Sequence, residues 1–469
     1  MKRLSLVAIF CTLLLNTYAQ KVWTLEACIS HALQNNLSLR SSRLLAENQQ
    51  LTLKQSQMNR LPSISANSNW SNNYGRSIDP FTNTFLNQAI TSNNFQLQGT
   101  VNLFSGFAVQ NTIRQNAVEL ESGKHSFKVN ENDLMLAVAN AYLQILLATE
   151  LQQAAQAQLE MSSTQSDRSQ KLFEAGRIAE ADLMQQEAQK GNDELSLVTA
   201  KNNVQLLYLS LWQLLDVNPD LINTIESPGN LRPMHSGPPN ADEIFNKTNS
   251  ERPEILFAEG KVKSAGYGLK VAEAQLYPKL FLFGNVSSLY SSTRKDILGY
   301  NIIGIDPSGI VLKTGDTVYS PRYSYDTKTT PYWKQVNNNF GKSCGLSLQI
   351  PLLNGWQTQT QIARAKITIQ QANINLQIAK LSLYKNITQA CADLNASQKK
   401  LQATNNNFQA ADKSFKFAKI RYDNGAISYT DFQLTAANRS RAEAQLIQSR
   451  YELIFREKVI DFYEGGVIR

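Results

Sequence analysis

The sequence is poor in cysteine and histidine and lacks the short motifs of common enzymes. It has 4 cysteines and 3 histidines among 469 residues. It contains no HExxH, no GxSxG and no phosphate-binding loop of the form GxxxxGKS or GxxxxGKT. Its cysteines stand too far apart for a metal cluster. We therefore expect no enzymatic activity, no cofactor and no metal site.

Basic residues are not clustered, and no long apolar run follows the N-terminus. The formal net charge is +8, but the basic residues are scattered along helical patterns, which argues against nucleic-acid binding. Residues 1–19 have a basic start, a short apolar run and a small-residue cleavage site, the pattern of a secretory signal peptide. No later segment has the ~18 consecutive apolar residues of a membrane helix. Any contact with a membrane is therefore expected from strands.

Glycine and proline are absent from residues 356–424. At about 1.5 Å per residue, this stretch predicts a helical rod about 100 Å long. Large apolar residues recur at a seven-residue spacing with one four-residue step. They are Ile362, Ile369, Leu376 and Leu383, followed by Ile387, Leu394, Leu401, Phe408, Phe415 and Tyr422. A heptad repeat of this length predicts a left-handed coiled coil.

The same order of elements occurs twice after the signal peptide. The first repeat, residues 20–230, contains predicted helices, strands at about 63–70 and 95–104, a long helix at 107–175, a helix at 179–215 and a connector. The second repeat, residues 231–469, contains a predicted helix at 252–276, strands at about 280–290 and 343–352, a long helix at 356–424 and a helix at 428–463.

Glycines fix the register of the two repeats. Gly106 and Gly355 are 249 positions apart (355 − 106), and so are Gly176 and Gly425 (425 − 176). The repeats differ in length between their strands, where the second has 33 additional positions. We expect these in a loop at about residues 291–338, which is rich in Tyr, Ser, Thr and Gly.

Each predicted strand has one apolar and one polar face. Strands of about ten residues with this pattern are typical of a transmembrane barrel, and a half-buried sheet of a soluble protein is the alternative. Four strands cannot close a barrel, since small barrels have about eight, so subunits must share one. Candidates for aromatic girdles at the membrane surface are Trp70, Phe95, Phe281, Phe283 and Tyr290.

Three features together resemble the TolC-like outer membrane efflux protein family. They are the duplicated order of helix, strand, strand, long helix, turn and helix; the opening Thr24-Leu25-Glu26-Ala27-Cys28; and Asn73-Tyr74-Gly75-Arg76-Ser77-Ile78-Asp79-Pro80, which is similar to the first external loop of Bacteroidetes members. The resemblance covers essentially the whole sequence after the signal peptide.

The resemblance implies a mixed α and β membrane protein. Its long coiled-coil α-helical barrel is expected to be continuous with a transmembrane β-barrel of four strands per subunit and twelve per trimer. The implied location is the outer membrane of a Gram-negative bacterium, with most of the chain in the periplasm. The implied partners are two further copies in a homotrimer, outer membrane lipid, a periplasmic adaptor (membrane fusion) protein and an inner membrane pump of the RND, ABC or MFS type.

The implied function is that of a passive exit duct in a tripartite efflux or type I secretion system. A trimeric coiled-coil surface adhesin or structural protein is the alternative. Such stalks usually have one helical rod, whereas strand pairs interrupt the helices of this sequence twice.

The resemblance also implies a channel constriction. Asp431 corresponds to an acidic residue that rings the closed aperture of the family, Asp182 is its counterpart in the first repeat, and Tyr422 corresponds to a tyrosine that holds the aperture shut. Leu434 stands where a second ring aspartate is expected. The residues Ser428-Tyr429-Thr430-Asp431 also match a capping box, so Asp431 has a second interpretation as a residue that starts a helix.

The two glycine turns are the expected docking site for the adaptor protein. The candidate residues are Gly176, Arg177, Ile178, Gly425, Ala426 and Ile427. Ile427 departs from the family pattern, which has an arginine that pairs the two helical hairpins there. The alternative is that these are ordinary turn residues.

Overall fold

The computed structural model describes residues 23–78, 83–218, 225–226 and 239–465. The predicted signal peptide, most of the predicted connector, and Asp79 and Pro80 of the loop motif lie outside these residues. The chain divides into two compact units. The helical unit comprises residues up to Leu51, Ala117–Ser264 and residues from Ile369 onward, whereas the sheet unit comprises Thr52–Asn116 and Ala265–Thr368. Each unit therefore takes segments from both sequence repeats.

The described helices have the following bounds: α1 Leu25–Asn35, α2 Leu37–Met58, α3 Ala108–Glu174, α4 Glu180–Leu215, α5 Ala241–Thr248, α6 Pro253–Glu273, α7 Tyr332–Asn338, α8 Gln357–Asp423 and α9 Tyr429–Tyr463. A short 3₁₀ turn, Ala274–Leu276, follows α6. The observed ends of α3 and α8 lie one residue inside the predicted ones. Neither α5 nor α7 is predicted from the sequence.

The helices α3 and α8 have the same length and begin in the same way. Each has 67 residues, and both their starts and their ends are 249 positions apart (357 − 108 and 423 − 174). A glycine and an aromatic residue with positive φ precede each helix, Gly106-Phe107 and Gly355-Trp356. Positive φ is uncommon for a bulky residue. At Gly106 a Cβ would also lie 2.7 Å from the carbonyl oxygen of Ala274, so glycine is required there for space as well.

The heptad residues of α8 form its packed face. Each of the ten is buried or half-buried. Leu383, Ile387 and Leu394 are the most completely covered, and they belong to a core cluster with residues of α5, α6 and α9. By length and composition α3 is apolar enough to cross a membrane, but its apolar residues from Val138 to Leu146 lie in a second core cluster of the helical unit.

The described strands have the following bounds: β1 Ser63–Asn73, β2 Arg76–Ile78, β3 Phe85–Asn87, β4 Ile90–Ser105, β5 Lys279–Ser291, β6 Lys295–Ile310, β7 Thr317–Thr329 and β8 Gly341–Gln349. Within the described residues, β1, β4, β5 and β8 form one four-stranded sheet in the order β1-β4-β5-β8. All its neighbouring strands are antiparallel. The strands β1 and β8 are its two edges.

The register separates the sheet into an apolar and a polar face. The apolar face carries Ile64, Ala66 and Trp70 of β1, Phe95, Leu97 and Val101 of β4, Leu280, Leu282, Val286 and Tyr290 of β5, and Cys344, Leu346 and Leu348 of β8. Of the five girdle candidates, Phe281 and Phe283 lie on the other face. A register shift between Asn102 and Phe104 places Phe104 opposite Leu280.

The prediction of a loop at 291–338 is wrong. The strands β6 and β7 form an antiparallel hairpin there, and α7 follows it. Register shifts adjoin Gly299, Gly304 and Gly309, which interrupts the regular alternation by which a strand is recognised in sequence. Tyrosine, threonine and isoleucine favour strands when a partner strand is present, so the same composition is compatible with the hairpin.

Candidate functional site

Two matching turns join the long helices to the helices that follow. The first turn, residues 175–179, links α3 to α4, and the second turn, residues 424–428, links α8 to α9. Gly176 has a φ of 67° and Gly425 a φ of 73°. The N–H of Gly176 donates to the carbonyl of Phe173, and the N–H of Arg177 to that of Leu172, both at 2.8 Å. The second turn has the corresponding two bonds. Both are Schellman motifs, which favour glycine in the left-handed position.

The two turns differ in how the next helix begins. Ser428 caps α9, because its Oγ accepts a hydrogen bond from the N–H of Asp431 at 3.2 Å and donates one to Asp431 Oδ2 at 2.8 Å. The equivalent residue of the first turn is Ala179, which caps α4 without a side-chain hydrogen bond. Asp182 and Asp431 both lie exposed in the first turn of a helix. The capping interpretation of Asp431 is therefore supported by direct contacts.

Aromatic rings pack beside the second turn. The rings of Tyr422 and Phe432 are stacked with centroids 4.9 Å apart and planes at 9°. Tyr429 lies 6.0 Å from Tyr422, and Phe415 lies 5.6 Å from Phe432. Phe432 is buried. The stack joins the end of α8 to the start of α9 and stiffens the second turn.

Tyr422 also connects the two repeats. Its hydroxyl accepts a hydrogen bond from Gln165 Nε2 of α3 at 2.9 Å. Burial raises the pKa of Tyr422, and the charge of Asp182 acts in the same direction. Burial likewise raises the pKa of Tyr429 to about 12, with smaller contributions from Tyr422 and Asp193. Both phenols therefore remain neutral donors and acceptors at neutral pH.

Further polar contacts between the repeats lie close to Tyr422. Arg168 of α3 forms an ion pair with Asp423 of α8, with Nη1 2.9 Å from Oδ1. Gln433 of α9 donates a hydrogen bond to Gln189 of α4. The first hairpin, α3 with α4, is thus linked to the second, α8 with α9. The ion pair of Arg168 thus contributes to the link between the two hairpins.

A buried aspartate lies beneath these contacts. Asp193 is 7% exposed and accepts hydrogen bonds from Gln189 at 2.8 Å and from Gln158 at 3.3 Å. It borders a groove of about 350 Å³ between α3, α4 and α9, which Tyr429, Phe432 and Arg441 also line. The sequence does not predict roles for Asp193, Gln165, Arg168 and Gln189, because single polar residues have no periodic signal.

The predicted constriction residues differ in their exposure. Tyr422 is half-buried between the hairpins, whereas Asp182, Asp431 and Leu434 are exposed. Of the predicted docking residues, Gly176, Arg177, Gly425 and Ala426 are exposed, and Ile178 and Ile427 are half-buried. Exposure at the turns leaves these residues accessible to a partner. Among the described residues, no group of His, Cys, Asp and Glu is arranged to hold a metal ion.

Comparison with known proteins agrees with this geometry. The profile of the family described as "Outer membrane efflux protein" matches residues 28–216 and 244–459. The chain is 21% identical over 375 residues to the outer membrane efflux protein BepC of Brucella suis biovar 1, which covers 80% of this chain and 70% of BepC.

Solved structures share the fold at low sequence identity. The outer membrane protein VceC of Vibrio cholerae superposes with a TM-score of 0.72 at 16% identity, covering 95% of this chain and 97% of VceC. The CmeC outer membrane channel of Campylobacter jejuni gives a TM-score of 0.76 at 17% identity, covering 95% and 86%. These likenesses confirm the predicted mixed α and β fold of long helices and a membrane-type sheet. The likeness to Bacteroidetes members stays a prediction. Because the family profile matches most of its length, the protein belongs to the outer membrane efflux protein family and is located in the outer membrane.

Proposed function

We propose that the protein is one subunit of a passive exit duct in a tripartite efflux or type I secretion system, and that three copies build the duct. The observation that carries this proposal is an uncovered second heptad on helices that already have a packed face. On α8, Ile367, Ile374 and Leu381 are 50% to 69% exposed at a spacing of seven. On α2, Leu37, Leu44, Leu51 and Met58 are exposed at the same spacing.

Uncovered heptads of this kind fit a neighbouring helix. Burial of seven such side chains contributes on the order of 10 kcal/mol, and a sustained heptad is the pattern of helix-to-helix packing in coiled coils. The sheet also has room for neighbouring strands, because β1 and β8 are its open edges. Three copies supply twelve strands and two supply eight; the family resemblance favours three. The exposed apolar face of the sheet would then meet outer membrane lipid.

The two sequence repeats are part of the proposal. Equal helices at a constant offset of 249 positions support an internal duplication, with residues 20–230 and 231–469 as its halves. Each subunit then contributes two equivalent helical hairpins. Membership in the efflux family favours the duct over the trimeric adhesin.

The two turns are the proposed docking site for a periplasmic adaptor protein, which in turn connects to an inner membrane pump of the RND, ABC or MFS type. Gly176, Arg177 and Ile178 of the first turn and Gly425, Ala426 and Ile427 of the second form this surface. Three copies of Asp182 and of Asp431 near one axis would make a narrow acidic constriction that binds cations. Substrates pass without chemical change.

Oligomeric state and conductance test the proposal together. Native mass spectrometry of the detergent-purified chain should give three subunits, and planar bilayers containing it should show discrete conductance steps. A monomer without conductance would refute the duct.

Cross-linking tests the docking surface. Ala426→Cys should cross-link to a co-expressed periplasmic adaptor protein, whereas Lys201→Cys, at an exposed residue of α4 away from the turns, should not. Equal cross-linking at both positions, or none at Ala426, would contradict the docking site.

A further inference from the structure

The short helix α7 lies on the apolar face of the sheet. Tyr332 contacts three strands there. Its ring is 6.4 Å from that of Trp70 on β1 and 4.7 Å from that of Tyr290 on β5. Its hydroxyl accepts a hydrogen bond from Asn93 Nδ2 of β4 at 3.1 Å. Ser288 Oγ of β5 donates to a backbone carbonyl of α7 at 2.6 Å. The helix therefore spans the sheet across its middle strands.

A buried glutamine fixes this helix in place. Gln335 is 1% exposed. Its Oε1 accepts from the N–H of Ser291 at 3.0 Å, and its Nε2 donates to the carbonyls of Ser291 and Thr330 at 3.0 and 2.9 Å. Three hydrogen bonds in a dry site hold a side chain rigidly. These hydrogen bonds hold α7, a helix of seven residues, at the end of β5.

The helix covers polar groups that interrupt the apolar face. Asn93 and Ser288 are 5% and 6% exposed, and both stand on the face that carries Phe95 and Leu97. Asn93 also accepts a hydrogen bond from Ser68 at 3.3 Å. Polar side chains turned toward lipid are costly unless they are paired. With α7 in place, these side chains are paired and shielded.

The outward side of α7 has the composition of a membrane interface. Trp333 is 76% exposed and Phe340, which follows the helix, is 51% exposed. Lys342 Nζ lies 5.1 Å from the ring centroid of Phe340, and Lys334 Nζ lies 2.8 Å from Asp296. Tryptophan and phenylalanine beside lysine fit the boundary between acyl chains and phosphate headgroups.

We infer that α7, together with Phe340 and Lys342, binds the phosphate-bearing headgroup layer of the outer leaflet and anchors the subunit at that depth. This inference rests on the proposed function, which places the apolar face of the sheet against lipid. The contacts of Tyr332 lie near Asn73, the end of β1 away from α2, and near Ile90, the end of β4 away from α3. These are the ends of β1 and β4 that do not connect to α2 or α3 along the chain, and the proposed function assigns them to the outer leaflet.

A second copy of the chain is less suited than lipid to cover the outward side of α7. Neighbouring copies join along β1 and β8, the open edges, whereas α7 lies over β4 and β5 in the middle of the face. Lipid is what lies against the middle of that face in a membrane barrel.

Tryptophan quenching tests the inference. The full chain is reconstituted into phosphatidylcholine vesicles whose acyl chains are brominated close to the headgroup, and the emission of Trp333 is obtained by subtracting the Trp333→Phe variant. We expect the bromolipid to quench at least half of this difference emission, and aqueous iodide to have little effect. Trp212→Phe, at a residue that packs against the core of the helical unit, is the matched control, and its difference emission should not respond to bromolipid.

Each other outcome overturns the inference. Quenching by iodide alone would place Trp333 in water, and quenching by neither would mean that protein covers it. Conductance across the same vesicles separates the two proposals, because a conducting protein with unquenched Trp333 refutes the anchor alone. A wild-type protein that neither inserts nor conducts refutes the duct, and the anchor with it.

Discussion

At the scale of single residues, the asymmetry between the caps is the clearest difference between the two turns. Ser428 bonds to the N–H of Asp431, whereas Ala179 offers no side-chain oxygen. A side-chain N-cap contributes about 1 kcal/mol. The start of α4 is therefore weaker than the start of α9, although the two segments occupy equivalent positions.

Exchanging the capping residues should exchange the stabilities of the starts of α4 and α9. Ala179→Ser should slow amide hydrogen exchange at Asp182 about fivefold, and Ser428→Ala should accelerate it at Asp431 by a similar factor, as about 1 kcal/mol requires. Hydrogen exchange with mass spectrometry measures both. Unchanged exchange at Asp431 in Ser428→Ala would contradict the capping role.

The charge of Asp431 can be tested apart from its cap. Asp431→Asn keeps a side-chain oxygen for Ser428 and removes the carboxylate. If Asp431 faces the pore, three charges are lost, so block by divalent cations in planar bilayers should weaken at least threefold. Glu187→Gln, at an exposed acid further along α4, should leave the block unchanged. Equal block in both variants would assign Asp431 to capping alone.

Alkaline pH should loosen the second turn. Burial holds the folded-state pKa of Tyr429, at about 12, above its unfolded value of about 10. The stabilisation is therefore complete below pH 10 and is lost as the pH rises toward 12. Near-UV circular dichroism should show this transition, and Tyr429→Phe should diminish it. Tyr319→Phe, at an exposed tyrosine of β7, should not.

At the scale of elements, two kinds of contact join the helical hairpins, and they are unequal in strength. The Arg168–Asp423 pair is about half exposed on both sides, so solvent screening leaves it below about 1 kcal/mol. Truncation of the buried Phe432 ring to alanine costs about 3 kcal/mol. Aromatic packing therefore dominates the link.

This ranking predicts the behaviour of variants. Phe432→Ala should raise single-channel conductance and lower thermal stability more than Arg168→Ala does. Tyr422→Phe keeps the aromatic stack but loses the hydrogen bond from Gln165, so its effects on conductance and stability should be intermediate. Bilayer recording and thermal unfolding of the purified protein measure both effects. If Arg168→Ala has the largest effect, electrostatics rather than packing holds the hairpins.

The sequence predicts some elements far better than others. The long helices were predicted to within one residue at each end, because the heptad and the absence of glycine and proline are local signals. The sequence predicts a loop where the β6–β7 hairpin lies, because pairing of Lys295 with Thr329 joins residues that are distant in sequence and because bulges break the alternation. The hydrogen bond of Gln165 and the ion pair of Arg168 depend on which helices become neighbours, and no single stretch of sequence encodes that.

At the scale of the whole molecule, the uncovered heptads on α2 and α8 bear on the proposed assembly. Rows of exposed aliphatic side chains of this length fit a protein–protein interface. In the proposed trimer, folding and oligomerisation are coupled, and the apparent stability depends on protein concentration.

A charge in the uncovered heptad should break the assembly. Leu44→Glu should convert the oligomer to monomer in native mass spectrometry, because a buried unpaired carboxylate costs several kcal/mol. Gln57→Glu introduces the same charge on α2 outside the heptad and should assemble normally. An intact oligomer with Leu44→Glu would remove α2 from the interface.

The equal lengths of α3 and α8 limit how this chain can evolve. Both helices start after the same glycine-aromatic step and end at the same glycine turn, 249 residues apart. A residue inserted into one helix alone would offset the two turns by about 1.5 Å and rotate one of them by about 100°. Descendants of this gene should therefore gain or lose helical length in both halves together, in whole heptads, and a related sequence with one shortened helix would lack the paired turns of the proposed docking site.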